Sequence, residues 1–186
     1  MRTVAAGIVI AAASVVLFAQ ARPPRPAAAR PAAAKPTGTL AQIMRGIYFP
    51  NSNVIFDVQQ NDPSAPKKKP GADAGTSATE TYAGTYSGWE AVENAAVALT
   101  DGVDLILAPG RSCQNGKPVP LQQADFQKFA RDMRAAGLAV LQAARTKSQE
   151  KVSDATNNLS DACSNCHEVY RDKGPADSPA RCNPIR

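Results

Sequence analysis

Histidine is all but absent: among 186 residues only His167 carries an imidazole. That excludes bis-histidine ligation of iron within one chain and disfavours a zinc site, which would want a second His or a second close cysteine pair. Acidic residues are missing before Asp57, while Arg2, Arg22, Arg25, Arg30 and Lys35 all precede it and account for the whole formal excess of +5. The basic character therefore belongs to the N-terminal stretch, the remainder is neutral on balance, and nothing points to nucleic-acid binding. No segment shows the sustained apolar/polar alternation of strands, and no Gly-rich phosphate loop is evident.

What is present is concentrated near the C-terminus. The run Cys163-Ser164-Asn165-Cys166-His167 has the spacing of a c-type haem attachment signal. Two thiols three positions apart share one face of a helix, where each can add to a haem vinyl group, and the adjacent imidazole is then placed to bind iron as the proximal ligand. A redox disulfide would use the same two cysteines, but such motifs open a helix after a strand, and this one lies deep in a helical stretch. With His167 assigned to iron, no Ser-His or Cys-His catalytic pair is left, and the expectation is an electron carrier and not an enzyme.

Haem attachment of this kind takes place outside the cytoplasm, and the N-terminus fits. Arg2 gives a short basic region, Val4 to Phe18 is apolar, and Ala19-Gln20-Ala21 satisfies the small-residue cleavage rule, so residues 1–21 read as a signal peptide and the protein as periplasmic. The alternative is an uncleaved anchor, the only membrane contact foreseen, although the apolar run is short for a span. Residues 22–39 are almost entirely Pro, Ala, Arg and Lys, a composition that cannot bury a core and reads as a tether. Residues 40–186 have the size of one domain.

Four segments of that domain carry helical periodicity, which predicts an all-α, antiparallel four-helix bundle. In the first, Leu40, Ile43, Met44 and Ile47 recur until Pro50, where a kink or break is expected, and Val54, Ile55 and Val58 continue the face. The second has Trp89, Val92, Ala96, Leu99, Val103 and Ile106 before Pro109-Gly110 ends it. The third, about 125–145, offers Phe126, Phe129, Met133, Ala136, Val140 and Ala144, with Gly137 and the alanines permitting close approach. The fourth, about 148–173, has Val152, Ala155, Leu159, Ala162, Cys163, Cys166, Val169 and Tyr170. The haem motif falls on its inner face, and the pocket is expected to open where this helix ends. A long polar loop, roughly 60–87, separates the first two segments; its Lys67, Lys68 and Lys69 read as a solvated face, with docking of an acidic redox partner as the alternative.

A four-helix pattern with the attachment motif on the last helix resembles the class II cytochromes c, the cytochrome c prime group and its six-coordinate, low-spin relatives. The most specific match is Cys163-Ser164-Asn165-Cys166-His167-Glu168-Val169-Tyr170-Arg171, with an aromatic residue and an arginine after the histidine. The long, Pro-interrupted first connection and two additional cysteines depart from the pattern. The resemblance implies one covalent haem c per chain and a first helix that supplies whatever faces the distal side of iron. Met44 lies on that stretch, so the resemblance makes Met44 the second axial ligand beside His167; Met133 is the rival, and Met44 as plain core is the alternative. It also implies that Arg171 stands near a haem propionate or the haem edge, and that two copies of the chain pair. Trp89, Phe126, Phe129 and Tyr170 read as core or haem-wall residues.

Cys113 and Cys182 are left over once haem has taken its pair. In an oxidising periplasm spare thiols tend to join, here tying the loop before the third helix to the tail beyond the fourth; two free thiols are the alternative. The functional expectation is a periplasmic carrier of single electrons between redox proteins acting as donor and acceptor. A five-coordinate gas-binding protein for nitric oxide or carbon monoxide, or a tethered haem subunit of a periplasmic redox enzyme, are the other readings.

Overall fold

The computed structural model describes residues 35–65, 85–175 and 178–182. The signal segment, residues 22–34 of the tether and the lysine triplet lie outside the described residues. Those described are helical, with no strand; one isolated bridge joins Ser112 and Pro118.

The first rod is composite. It begins as α1 (Leu40–Ile43), passes through a π-helical segment (Met44–Tyr48) and continues as α2 (Phe49–Asp57). Thr39 starts it with a capping box: the Gln42 N–H donates to Thr39 Oγ1 at 3.3 Å and the Thr39 N–H to Gln42 Oε1 at 2.8 Å. Helical structure continues through Pro50 to Asp57, so of the kink or break expected there the break does not occur. The wider turn supplies the reason: the Phe49 N–H donates to Met44 O, five residues back, so the register has already opened where the proline ring would crowd a preceding carbonyl. Asn51 Nδ2 then donates to Ile47 O at 2.7 Å, adding a side-chain bond beside the proline. The π turn also shifts the helix face by one residue. Tyr48 becomes buried, and Val54, expected on the apolar face, is turned outward at 39% exposure.

The second rod is α3 (Trp89–Asp101) followed by α4 (Val103–Ile106), joined at Gly102. Every apolar residue read into this stripe, from Trp89 through Ile106, is buried. The third and fourth rods are α5 (Ala124–Arg145) and α6 (Gln149–Tyr170), connected by a corner in which Lys147 takes a left-handed φ of 54° and Ser148 caps α6 by accepting from the Lys151 N–H. The fourth helix thus stops at Tyr170, three residues short of the sequence boundary, and Arg171 is its C-cap.

Contacts at opposite ends establish antiparallel neighbours. Tyr48 Oη donates to Leu99 O, while Trp89 Nε1, at the other end of α3, donates to Ser64 Oγ at 2.7 Å. Gly137 faces Thr100, and Arg134 pairs with Asp104. Gln149 Nε2 reaches Val58 O, and Gln59 Nε2 reaches Thr156 Oγ1. The α3–α5 crossing is close because Gly137 has no side chain: a Cβ there would stand 2.5 Å from Thr100 Oγ1, itself held to Ala96 O at 2.8 Å.

Between α4 and α5 the chain folds back through a loop anchored by Arg111. Its buried guanidinium donates to Leu105 O and to Gly38 O, while the Leu40 N–H donates to Ser112 O at 2.8 Å. The last residues of the tether are therefore docked on this loop.

Candidate functional site

The three residues of the attachment motif are brought to one place by α6. Cys163, Cys166 and His167 are each half-buried and line a cavity of about 340 Å³. It lies where α6 ends, as expected from the sequence, and reaches the surface past Arg45, Phe49 and Arg171. Its inner wall is apolar, with Leu99 and Ile106 from the second rod, Phe126, Ala130 and Met133 from α5, and Ala162 and Tyr170 from α6. Met44, from the π-helical segment, lines the opposite rod's share of the same cavity.

The aromatic end of the wall is locked in place. Tyr170 stands edge-on to Phe126, with centroids 5.2 Å apart, and to Phe129 at 6.3 Å. Its Oη donates to Asp125 Oδ1 at 2.6 Å, and burial together with that bond holds the phenol protonated far above its usual range. Trp89 is core, but it lies at the far end of the bundle and is not part of this wall.

Electrostatics favour neutral side chains inside. Burial pushes the Cys166 thiol up to about 12, with Cys163 and Asp125 adding to the shift and Arg171 opposing it; burial also raises Cys163. Both cysteines are free thiols, and in protonated form they are poor partners for oxidation to a disulfide. Burial, followed by the Arg171 guanidinium, lowers His167 below the ordinary imidazole range, against a smaller opposing effect of Asp172. His167 is thereby kept in the neutral form that can bind a metal.

Arg171 lines the cavity, but it is half-exposed and its guanidinium is shared with Asp172, Nε to Oδ1 at 2.6 Å and a second nitrogen to Oδ2 at 3.1 Å. Two further cations line the cavity that sequence reasoning did not find, Arg45 and Arg181, and no carboxylate does among the described residues. Arg45 follows Met44 directly and lay within reach of inspection. Arg181 belongs to the tail and is brought back only by long-range contacts. Cys113 and Cys182 also face the cavity; they form a disulfide with Cα atoms 6.6 Å apart, linking the loop before α5 to the tail after α6.

Residues 118–171 match the family model of cytochrome C'. No curated protein and no solved structure matches the chain. The matched stretch contains all of α5 and α6 together with Arg171, and so includes the attachment motif; it relates the chain to the class II cytochromes c, the cytochrome c prime group. The cofactor this implies is covalently bound haem c, and the match supports a haem-binding cytochrome. The residues present fit such a group. Two unpaired thiols and a neutral imidazole stand on one face of α6, against an apolar wall suited to a porphyrin and three arginines suited to its two carboxylates. Among the described residues no helix is long and apolar enough to cross a membrane.

Proposed function

We propose that this chain is a periplasmic carrier of single electrons, holding one haem c by thioether bonds from Cys163 and Cys166, with His167 and Met44 as the axial ligands of its iron. The observation that carries the reading is the single cavity shared by the attachment residues of α6 and Met44 of the first rod. Haem c supplies a reversible one-electron couple at iron, and everything else is the work of the polypeptide. The apolar wall from Leu99 to Tyr170 excludes water, which keeps the reorganisation accompanying a change of charge small. His167 is oriented by its two cysteine neighbours in the motif and kept neutral by burial. The Met44 thioether would hold the iron as a soft donor, which favours the ferrous state, and would leave no position for an external ligand.

Met133 reaches the same cavity, but it is buried on a regular α-helix, whereas Met44 opens a π-helical turn. Such turns are rare and concentrate at functional sites, which favours Met44. Arg45, Arg171 and Arg181 are the cations available to the haem propionates. Electron donor and acceptor are periplasmic redox proteins under this reading, and pairing of two copies is the expected assembly.

The test is the absorption spectrum of the matured ferric protein beside its Met44→Ala variant. The reading expects a methionine-sulfur charge-transfer band that the substitution removes. A band that survives Met44→Ala but is lost in Met133→Ala moves the ligand to α5. Absence of the band in the parent, with rapid carbon monoxide binding when reduced, replaces the electron carrier by a gas-binding protein. Co-purification with a larger redox enzyme makes the chain its subunit instead.

A further inference from the structure

The Cys113–Cys182 disulfide is not remote from the site: both sulfur-bearing residues line the cavity, beside Gln114 and Arg181 of the same two segments. Around the disulfide the loop and the tail are fastened to each other by polar contacts that use backbone carbonyls of the tail. Asn115 Nδ2 donates to Ser178 O at 2.9 Å and to Arg181 O at 3.1 Å, and Lys117 Nζ donates to Pro179 O at 2.6 Å. The Cys182 N–H donates to Tyr170 O at 3.0 Å, which brings the tail back onto the end of α6, and Arg181 folds its guanidinium onto Gly174 O. The loop in turn is braced against the first rod, where Arg45 donates to Gln114 Oε1 at 2.9 Å. Loop and tail thus form one wall of the cavity. Most of the bonds that hold it are exposed or half-exposed, where water competes with each of them, and the disulfide is the one link that water cannot replace.

We propose that the Cys113–Cys182 disulfide is the clasp of this wall and that, by holding the tail with Arg181 against the cavity, it raises the reduction potential of the haem bound there. This rests on the haem assignment of the preceding subsection. Two effects act in the same direction. A closed wall keeps water from the site and so disfavours the ferric state, which carries one more positive charge. The Arg181 cation on the wall does the same by direct repulsion. Opening the clasp removes both, so the potential falls. A dithiol can open it: one thiolate attacks a sulfur of the disulfide to give a mixed disulfide and release the other cysteine, and the second thiol of the same reagent then attacks the reagent sulfur of that mixed disulfide and displaces the remaining cysteine. The two cysteines gain two electrons and two protons, and the dithiol leaves as its cyclic disulfide. A thiol–disulfide couple would in this way set the poise of the one-electron centre.

The experiment uses the mature haem-loaded protein, whose haem content is established first by intact mass and by the haemochrome spectrum. Absence of covalent haem refutes the site assignment itself. With haem present, the ferric/ferrous midpoint is titrated before and after treatment with a small dithiol, alkylation of the released thiols and removal of reagents; only Cys113 and Cys182 are open to alkylation, because the other pair is held in thioethers. The expected result is a tenfold fall in the ferrous-to-ferric ratio at fixed applied potential, a shift of about 59 mV for one electron. Cys113→Ser with Cys182→Ser should reproduce it, and Arg181→Gln with the disulfide intact should give part of it. A midpoint unchanged after alkylation overturns the proposal with the haem assignment intact. So does loss of helical structure in both the alkylated protein and the double variant, which would make the bond a staple of the fold.

Discussion

At the end of the bundle where α3 begins and α5 stops, side chains of the four rods are fully buried against one another. Ile55, Ala96, Val140, Ala144 and Val152 are all at 0% exposure. At the other end, Met44, Phe129, Cys163, Cys166 and His167 are only half-buried around a cavity of about 340 Å³. The same helices make both ends, so the difference lies in residue size and approach. Ala96 and Ala144 are fully buried in the core at the closed end, and Gly137 lets α3 and α5 approach at Thr100, next to the Leu99 of the cavity wall; Phe126, Phe129 and Tyr170, locked edge to face, help line the hollow at the other end. One end is stabilised by its own packing, whereas the other has apolar surface that only a bound group can cover.

That contrast is tested most severely by Cys163→Ser with Cys166→Ser. Covalent haem should be lost completely, read as the absence of a peroxidase-active band on a denaturing gel of material matured in a competent host. The closed end should still fold, so helical circular dichroism persists while denaturant stability drops. A variant that lost helix altogether would mean the two ends are not separable.

Next in size is the core of the closed end. Ile55→Ala, at a site with no exposure, should cost about 2–5 kcal/mol of unfolding free energy whether or not haem is attached. Phe129→Ala, on the half-buried cavity wall, should cost only its edge-to-face contact with Tyr170, about 0.5–1.5 kcal/mol, in the haem-free variant and more in the loaded protein. Chemical denaturation of the four proteins checks both, and an equal cost for Phe129→Ala in the two states would remove the distinction between the ends.

A smaller effect isolates the close crossing. Gly137→Ala should destabilise by about 1–3 kcal/mol, since its Cβ would meet Thr100 Oγ1 at 2.5 Å. Thr100→Ala takes that oxygen away, so the double variant should recover part of the loss. Additive effects in the cycle would show that the hydroxyl is not what sets the spacing.

How much of this was legible in the sequence follows the same division. The stripe from Trp89 to Ile106 could be read residue by residue because its steps of three and four stay in phase across the α3–α4 junction, where Gly102 keeps a right-handed helical conformation. Cys163, Cys166 and His167 were legible because their chemistry is local, fixed by spacing on one helix. In the first rod Ile55 and Val58 are buried as the sequence implies, but the π-helical segment turns Val54 out and brings in Tyr48, which the stripe did not include. Arg181 and Gln114 could not be found at all. Their place on the cavity depends on a loop and a tail that meet across the bundle, and no local pattern encodes such a meeting. Met44 stands out only through the resemblance, since methionine at helical spacing otherwise reads as core, and what the fold adds is the π-helical turn on which it sits.

The smallest expected effect comes from His167 itself, and it separates packing from ligation at the hollow end. In the haem-free Cys163→Ser, Cys166→Ser chain, burial and Arg171 hold the folded-state imidazole below its ordinary value, while in the unfolded chain it titrates near about 6.5. The unfolded state therefore binds the proton more readily. Stability should be fully present above about pH 7 and decline as the pH falls through the unfolded value, levelling off below the folded one. Denaturant midpoints between roughly pH 5 and pH 7.5 would register the slope, above the range in which the carboxylates titrate. His167→Gln should flatten it, and Arg171→Gln should reduce it, because that guanidinium contributes to the depression. A slope that survived His167→Gln would assign the titration elsewhere and leave the neutral state of this imidazole to iron alone.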